Sequence, residues 1–242
     1  MAGVTDWARL TWQAADPVAL AADLEQRLGP GGGSVAVPAV GRVMRLVGGD
    51  LVLVSWRREA ADDDPHPAGR LIFEPLEVDA PGILSPAEAA AGATVAPLAE
   101  PRFRLAGVGW ATVELDRAEA ELDPWLEDAP ERTTGAFDVP DVPEPHLGAR
   151  TRVRPSPNLP GDLLVLAEPA TEGRLAASLA RDGEGPCVLY LAPAEGLRAW
   201  LAAAAERGIA VSAVRRGPLG RSVLIGGARS GPHLVVVDGD VR

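Results

Sequence analysis

Residues 162–193 read DLLVLAEPATEGRLAASLARDGEGPCVLYLAP. An apolar run, a short helical pattern, a glycine-bounded turn and a second apolar run succeed one another with no spacer between them. Residues 163–167 and 187–191 are short, mostly apolar and rich in Leu and Val, the pattern of strands buried on both faces. Between them Thr171 is a candidate N-cap, Leu175 and Leu179 stand four apart, and Gly183 sits where a left-handed C-terminal residue belongs. The stretch reads as the seam at which one β-α-β-β-β module hands over to the next.

Working outward, the same pattern recurs on both sides. Downstream, residues 187–191 open a module whose helix spans 194–207, with Leu197, Trp200, Leu201 and Ala204 on one face and Gly208 as its stop. Strands are expected at 209–214, 221–226 and 233–237, parted by GPLG at 217–220 and a Gly/Ser-rich turn at 226–231. Upstream, residues 105–115 (LAGVGWATVEL) form a strand, and Asp116 caps a helix carrying Ala118, Leu122, Trp125 and Leu126. Strands at 133–138, 147–154 and 163–167 complete that module. Near the N-terminus, a strand at 9–15 leads into a helix with Leu20, Leu24 and Leu28 at i, i+4 and i+8. Strands at 34–38, 42–47 and 50–56 follow, and 71–78 is a further strand. Residues 81–101, rich in Ala, Pro and Gly, read as a linker. The expected fold class is therefore α+β, built of repeated βαβββ modules. Residues 1–78 are a single module, 79–104 a linker, and 105–242 a paired two-module domain.

Totals bound the function. A chain of 242 residues with 47% hydrophobic and 24% charged residues has ordinary globular composition. All 23 basic residues are arginine, so no lysine is available for Schiff-base or P-loop chemistry. A net charge of −11 opposes phosphate contacts, so no nucleic-acid partner is expected. One cysteine, Cys187, forbids an intrachain disulfide and fits a reducing compartment. MAGVTDWARL has no basic and apolar leader pattern, and no run is long enough to span a bilayer. The expectation is a cytoplasmic protein with no membrane partner.

The module pattern resembles the vicinal oxygen chelate superfamily, the glyoxalase/bleomycin-resistance/dioxygenase folds. The resemblance rests on GVGWATVELDRAEAEL, on LLVLAEPATEGRLAASLARDGEGP followed by a strand, and on GPLGRSVLIGG with GPHLVVVDG at the end. The middle piece is similar to the inter-module connector of methylmalonyl-CoA epimerase-like members. The resemblance implies a divalent metal held by His and Glu/Gln from the first and last strand of each paired module. Carried over one at a time, the four positions fall on Gly109 (or Trp110), Val165, Pro186 or Cys187, and Val235–Val237. None is histidine, so no metal and no cofactor are expected, and whether the chain is an enzyme stays open.

The remaining histidines and Glu168 offer no ready replacement. His66 lies in an acidic, proline-flanked loop; His146, in EPHLG, is expected to be exposed; His233 begins a strand; and Glu168 is expected on the face opposite Val165. Arg150, Arg152 and Arg154 alternate on one strand and share a face, either as a solvated ladder or as a clamp on an anionic ligand. Tyr190 and Trp110 would stack on a ligand or pack in the core. The candidate ligand contacts are therefore Arg152, Arg154, Tyr190 and Trp110, with no catalytic residue assigned. Three functions follow: a metal-independent small-molecule-binding protein of glyoxalase/bleomycin-resistance type; a metal-dependent lyase, epimerase or dioxygenase; or a non-catalytic interaction protein. A homodimer is expected, because an unpaired N-terminal module must cover its open sheet face.

Overall fold

Alternation of apolar residues sets the strands, and Gly and Pro punctuate them. The computed structural model describes residues 8–14, 17–28, 34–37, 41–46, 49–55, 70–74, 103–126, 141–156, 163–226 and 231–239. The N-terminal part runs β1 (Ala8–Ala14), α1 (Pro17–Leu28), β2 (Ser34–Val37), β3 (Gly41–Leu46), β4 (Gly49–Ser55) and β5 (Arg70–Glu74). The C-terminal part runs β6 (Phe103–Ala111), α2 (Leu115–Leu126), β7 (Val142–Glu144), β8 (Ala149–Pro155) and β9 (Leu163–Pro169). It continues through α3 (Arg174–Asp182), β10 (Gly185–Pro193), α4 (Leu197–Glu206), β11 (Arg215–Gly217), β12 (Gly220–Leu224) and β13 (His233–Val237).

Eight strands make one curved sheet in the order β11-β12-β13-β10-β6-β9-β8-β7. Each βαβββ half contributes four, its first strand parallel to its last, and the halves join where β6 and β10 pair antiparallel. The free edges β7 and β11 come back against one another, so the sheet nearly closes on itself. The N-terminal strands repeat the half-pattern in a five-stranded sheet of order β2-β3-β4-β1-β5. There β1 is parallel to β4 and antiparallel to β5, as β6 is to β9 and β10.

The two faces of the eight-stranded sheet carry different cores. Outside, Phe103, Leu105, Val108, Leu189, Leu191, Val223, Leu234 and Val236 pack with Leu197 and Trp200 of α4 and with Leu20, Leu24 and Leu28 of α1. Phe103 and Trp200 meet edge to face, with ring centroids 6.2 Å apart. Helix α1 also lies against β1, β3 and β4, so it is clasped between its own sheet and the larger one. Each of its three buried leucines contributes about 2 kcal/mol of transfer free energy. Gly231 lets the helix approach: its φ is +84°, and a Cβ there would stand 2.7 Å from Leu20 Cδ1.

Several sequence expectations shift. Helix α3 starts after Gly173, which has extended backbone and no side-chain cap; Thr171 instead packs against Gly148. Gly183 has φ +76° and its N–H bonds Leu179 O at 2.9 Å, closing the helix as its position implied. Residues 209–214 are not a strand: Val211 makes one bridge to Ile225, and the edge strand is β11. The strand expected at 133–138 and the linker at 81–101 lie outside the described residues, as does His66. No helix among the described residues is long and apolar enough to cross a membrane.

Candidate functional site

The inner face of the paired sheet is where the four superfamily positions converge. Gly109 of β6 lies beside Val165 of β9 and opposite Val188 of β10, and Val235 of β13 lies beside Tyr190. Val165, Val188, Tyr190 and Val235 are all 0% exposed. A Cβ on Gly109 would stand 2.6 Å from Val188 Cβ and 3.3 Å from Tyr190 Cε2, so the position has room for hydrogen alone. Ala106, Leu147, Leu175, Leu219, Leu224 and Val237 complete this inner cluster. Cys187 packs at its edge, and burial pushes its thiol up to about 12, so it is a neutral hydrophobe at physiological pH. The donor set does not fit a metal ion: glycine, valines and a neutral thiol replace imidazole and carboxylate. Among the described residues no group of three or more His, Cys, Asp or Glu is placed to hold one.

The polar chemistry of the interior gathers where the sheet edges meet. Glu144, the last residue of β7, is 0% exposed. Its Oε1 accepts from the His146 N–H at 3.1 Å, and its Oε2 accepts from the Tyr190 hydroxyl at 3.4 Å. The β11 backbone closes over it, because a Cβ on Gly217 would come within 2.9 Å of Oε2. Burial raises the Glu144 carboxyl to about 7, against the smaller opposing effect of these two hydrogen bonds. Tyr190 is raised well above the ordinary phenol range, by burial first and then by Glu144.

His146 extends the cluster across the closure. Its Nε2 lies 3.1 Å from Ser222 O and 3.2 Å from Ser222 Oγ, and its Nδ1 lies 3.1 Å from Ser212 Oγ. A carbonyl only accepts, so Nε2 carries the proton and Nδ1 accepts from Ser212, while Ser212 Oγ accepts from the Leu224 N–H at 2.9 Å. Burial lowers the His146 pKa and holds the ring neutral. The expectation of an exposed His146 is thus corrected: at 8% exposure it is buried, because β11 and β12 fold over the turn that carries it.

The four expected ligand contacts separate. Tyr190 alone faces the interior, fully enclosed. Trp110 is half-buried on the outer face, against Leu115, Leu122, Leu164 and Leu166 beneath α2. Arg152 and Arg154 do share a face, but it is the outer one, under the acidic first turns of α2. Arg152 donates to Asp116 and Asp141 at 2.9 and 3.0 Å and also pairs with Glu119; Arg154 pairs with Glu119. Arg150 donates to both oxygens of Glu168, and Glu168 Oε2 also accepts the Leu115 N–H at 3.0 Å, holding the start of α2. Strand alternation explains the placement, since Thr151 and Val153 between the arginines point inward. Glu144 was missed in the sequence because a single glutamate between prolines on a three-residue strand carries no periodic pattern.

No protein-family model matches this sequence, and no curated protein matches it. Among solved structures, a triple mutant of 4-hydroxymandelate synthase from Streptomyces coelicolor is similar over 96% of this chain and 91% of its own. It shows 16% identity and a TM-score of 0.56. Methylmalonyl-CoA epimerase from Mycobacterium tuberculosis is similar over 61% of this chain and 95% of its own, at 21% identity and a TM-score of 0.43. A Streptomyces coelicolor methylmalonyl-CoA epimerase variant in complex with 2-nitronate-propionyl-CoA covers 56% and 98%, at 21% identity and a TM-score of 0.41. The synthase alignment spans both sheets, and the eight-stranded order joins two βαβββ halves through their first strands. The chain has the vicinal oxygen chelate, or glyoxalase-like, fold.

Proposed function

We propose that this chain is a metal-independent, non-catalytic form of the glyoxalase-like fold that works as an interaction protein. Residues 105–242 form its paired unit, 1–78 a single module and 79–104 the linker. One observation carries the reading: the inner face, where substrate and metal would sit, is occupied by the chain's own side chains, with Tyr190 over Gly109. A small-molecule site needs concave space with a few convergent polar groups, and here Val165, Val188, Tyr190 and Val235 fill it. The second reading is a metal-independent small-molecule-binding protein of bleomycin-resistance type. It is favoured by the Glu144–Tyr190 pair, a carboxyl and a phenol held together in an otherwise apolar interior. Tyr190 is then the one expected ligand contact that a cleft ligand would meet.

Metal analysis of full-length protein purified without chelator is expected to find well below one equivalent of Zn, Fe, Mn or Ni; a stoichiometric metal would sink both readings. A thermal-shift screen against uncharged metabolites and antibiotics then separates them. No saturable shift supports the interaction protein, whereas a saturable shift abolished by Tyr190→Trp supports the small-molecule reading and overturns the first. The homodimer is proposed on the same footing, since one helix, α1, accompanies the N-terminal sheet among the described residues. Light scattering of a compact monomer at micromolar concentration would remove it.

A further inference from the structure

At the rim of the closure, a serine and a histidine are tied by hydrogen bonds that fix where each proton lies. His146 is carried by the tight turn between β7 and β8, where the Leu147 N–H donates to Glu144 O at 3.2 Å and Gly148 has φ +69°. Ser212 stands three residues before β11. Its N–H donates to Leu224 O at 2.9 Å, and its Oγ accepts from the Leu224 N–H at 2.9 Å, so the end of β12 grips it at two points. Ser212 Oγ lies 3.1 Å from His146 Nδ1, with Ala213 O the other acceptor within reach at 3.2 Å. The histidine is buried. The serine is half-buried, and Ala213, Val214, Arg215 and Arg216 after it are exposed.

Three groups thus stand in line. Ser222 O, 3.1 Å from Nε2, takes the ring's proton, which leaves the Nδ1 lone pair for the serine hydroxyl. A hydroxyl, a base within hydrogen-bond reach and a third group orienting the base make the arrangement that activates a nucleophile. Around the ring, Glu144 accepts from the backbone N–H of His146, Tyr190 donates to Glu144, and Arg215 stands opposite Ser222 in the β11–β12 ladder. Burial, the largest cause, lowers the His146 pKa against the Ser222 carbonyl, and the Arg215 charge adds to the lowering. The imidazole is therefore neutral at physiological pH. A second pair, Ser178 Oγ at 2.9 Å from His233 Nε2, lacks access, because that serine is only 4% exposed.

We infer that Ser212 is a covalent modification site, its hydroxyl taking an acyl group from a small activated ester with His146 as the base. Ser212 Oγ attacks the ester carbonyl and passes its proton to Nδ1. The bond from Oγ to the acyl carbon forms, the bond from that carbon to the leaving oxygen breaks, and the leaving oxygen collects the proton from Nδ1. Nothing is oxidised or reduced. The site goes beyond the proposed function, since it uses none of the side chains that fill the inner face and calls for one acylation rather than turnover. With every basic residue an arginine, no lysine amine competes for the acyl group.

The test is incubation of the full chain with p-nitrophenyl acetate, with the acetyl group followed and mapped by peptide mass spectrometry. Acetylation of Ser212 ahead of every other serine is expected, with Ser178 unmodified. Its rate is expected to level off above about pH 7, because His146 is already neutral there, whereas an unassisted hydroxyl keeps accelerating with hydroxide. Ser212→Ala is expected to remove the adduct, and His146→Gln to slow the labelling of Ser212 about a hundredfold. If the histidine variant does not fold, the pH plateau of the wild type decides the matter. Acetyl groups spread evenly over exposed serines, or a Ser212 rate still climbing at pH 9, would overturn the site. Release of p-nitrophenolate that stops at one equivalent fits the interaction protein; release that continues through Ser212 would keep the site and overturn the non-catalytic reading.

Discussion

A carboxyl as enclosed as that of Glu144 resists ionisation, and its raised pKa links folding to pH. The folded group holds its proton up to about 7 while the unfolded group releases it near 4.5. Between those values the native state binds more protons, so the stabilising effect is full below 4.5 and is lost as pH rises through 7, by about 3 kcal/mol. His233 runs the other way: lowered to about 4, it binds fewer protons in the native state, and its effect is lost as pH falls from 6.5 to 4. The two nearly offset between pH 4.5 and 6.5. In Glu144→Gln, denaturant midpoints are expected to rise from pH 4 to 6.5, with the lowered His146 adding to the rise, and then hold level, whereas wild type rises much less over that range and then falls toward pH 8. Parallel curves for the two proteins would refute this. Gly109→Ala, whose new Cβ meets Val188 at 2.6 Å, is expected to cost about 1–3 kcal/mol by overpacking, read from the same midpoints.

Strand β8 and helix α2 are joined by charge rather than by apolar area alone. Arg152, Arg154 and Glu119 are each roughly one-fifth exposed, which shields them partly from solvent and salt. A double-mutant cycle on Arg152→Gln and Glu119→Gln is expected to give a coupling of about 1 kcal/mol that shrinks in 1 M salt; no coupling would make the ladder a solvated decoration. The strands were legible wherever alternation had length: Leu163–Pro169 and Gly185–Pro193 stood out as apolar runs. Strand β7 was not, because three residues including Pro143 have no period of their own and pair only once β8 offers a partner. The burial of Glu144 and His146 escaped for a related reason. It is created by β11 arriving some seventy residues later in the chain, a contact that local pattern does not encode. The arginine ladder was legible as a face, but which face required knowing where α2 lies.

Across the whole molecule, α1 serves two sheets at once. Leu24, fully enclosed, touches a cluster that includes Phe103, Leu189 and Val236. Leu24→Ala is expected to cost about 3 kcal/mol and to lower a single shared unfolding transition, followed by circular dichroism and tryptophan fluorescence together. Two separated transitions, with only the earlier one shifted, would mean that the N-terminal part folds by itself. The double service also sets an order of events during synthesis. Among the described side chains, the partners of α1 in the larger sheet and its helices all lie beyond residue 100, and the last, Leu234 and Val236, emerge more than two hundred residues after it. An isolated twelve-residue helix is marginal in water, so α1 can rest on its own strands early but cannot complete its packing until the final strand has been made. The N-terminal segment is the first part of this chain to be translated, and the packing of its helix is completed only by one of the last.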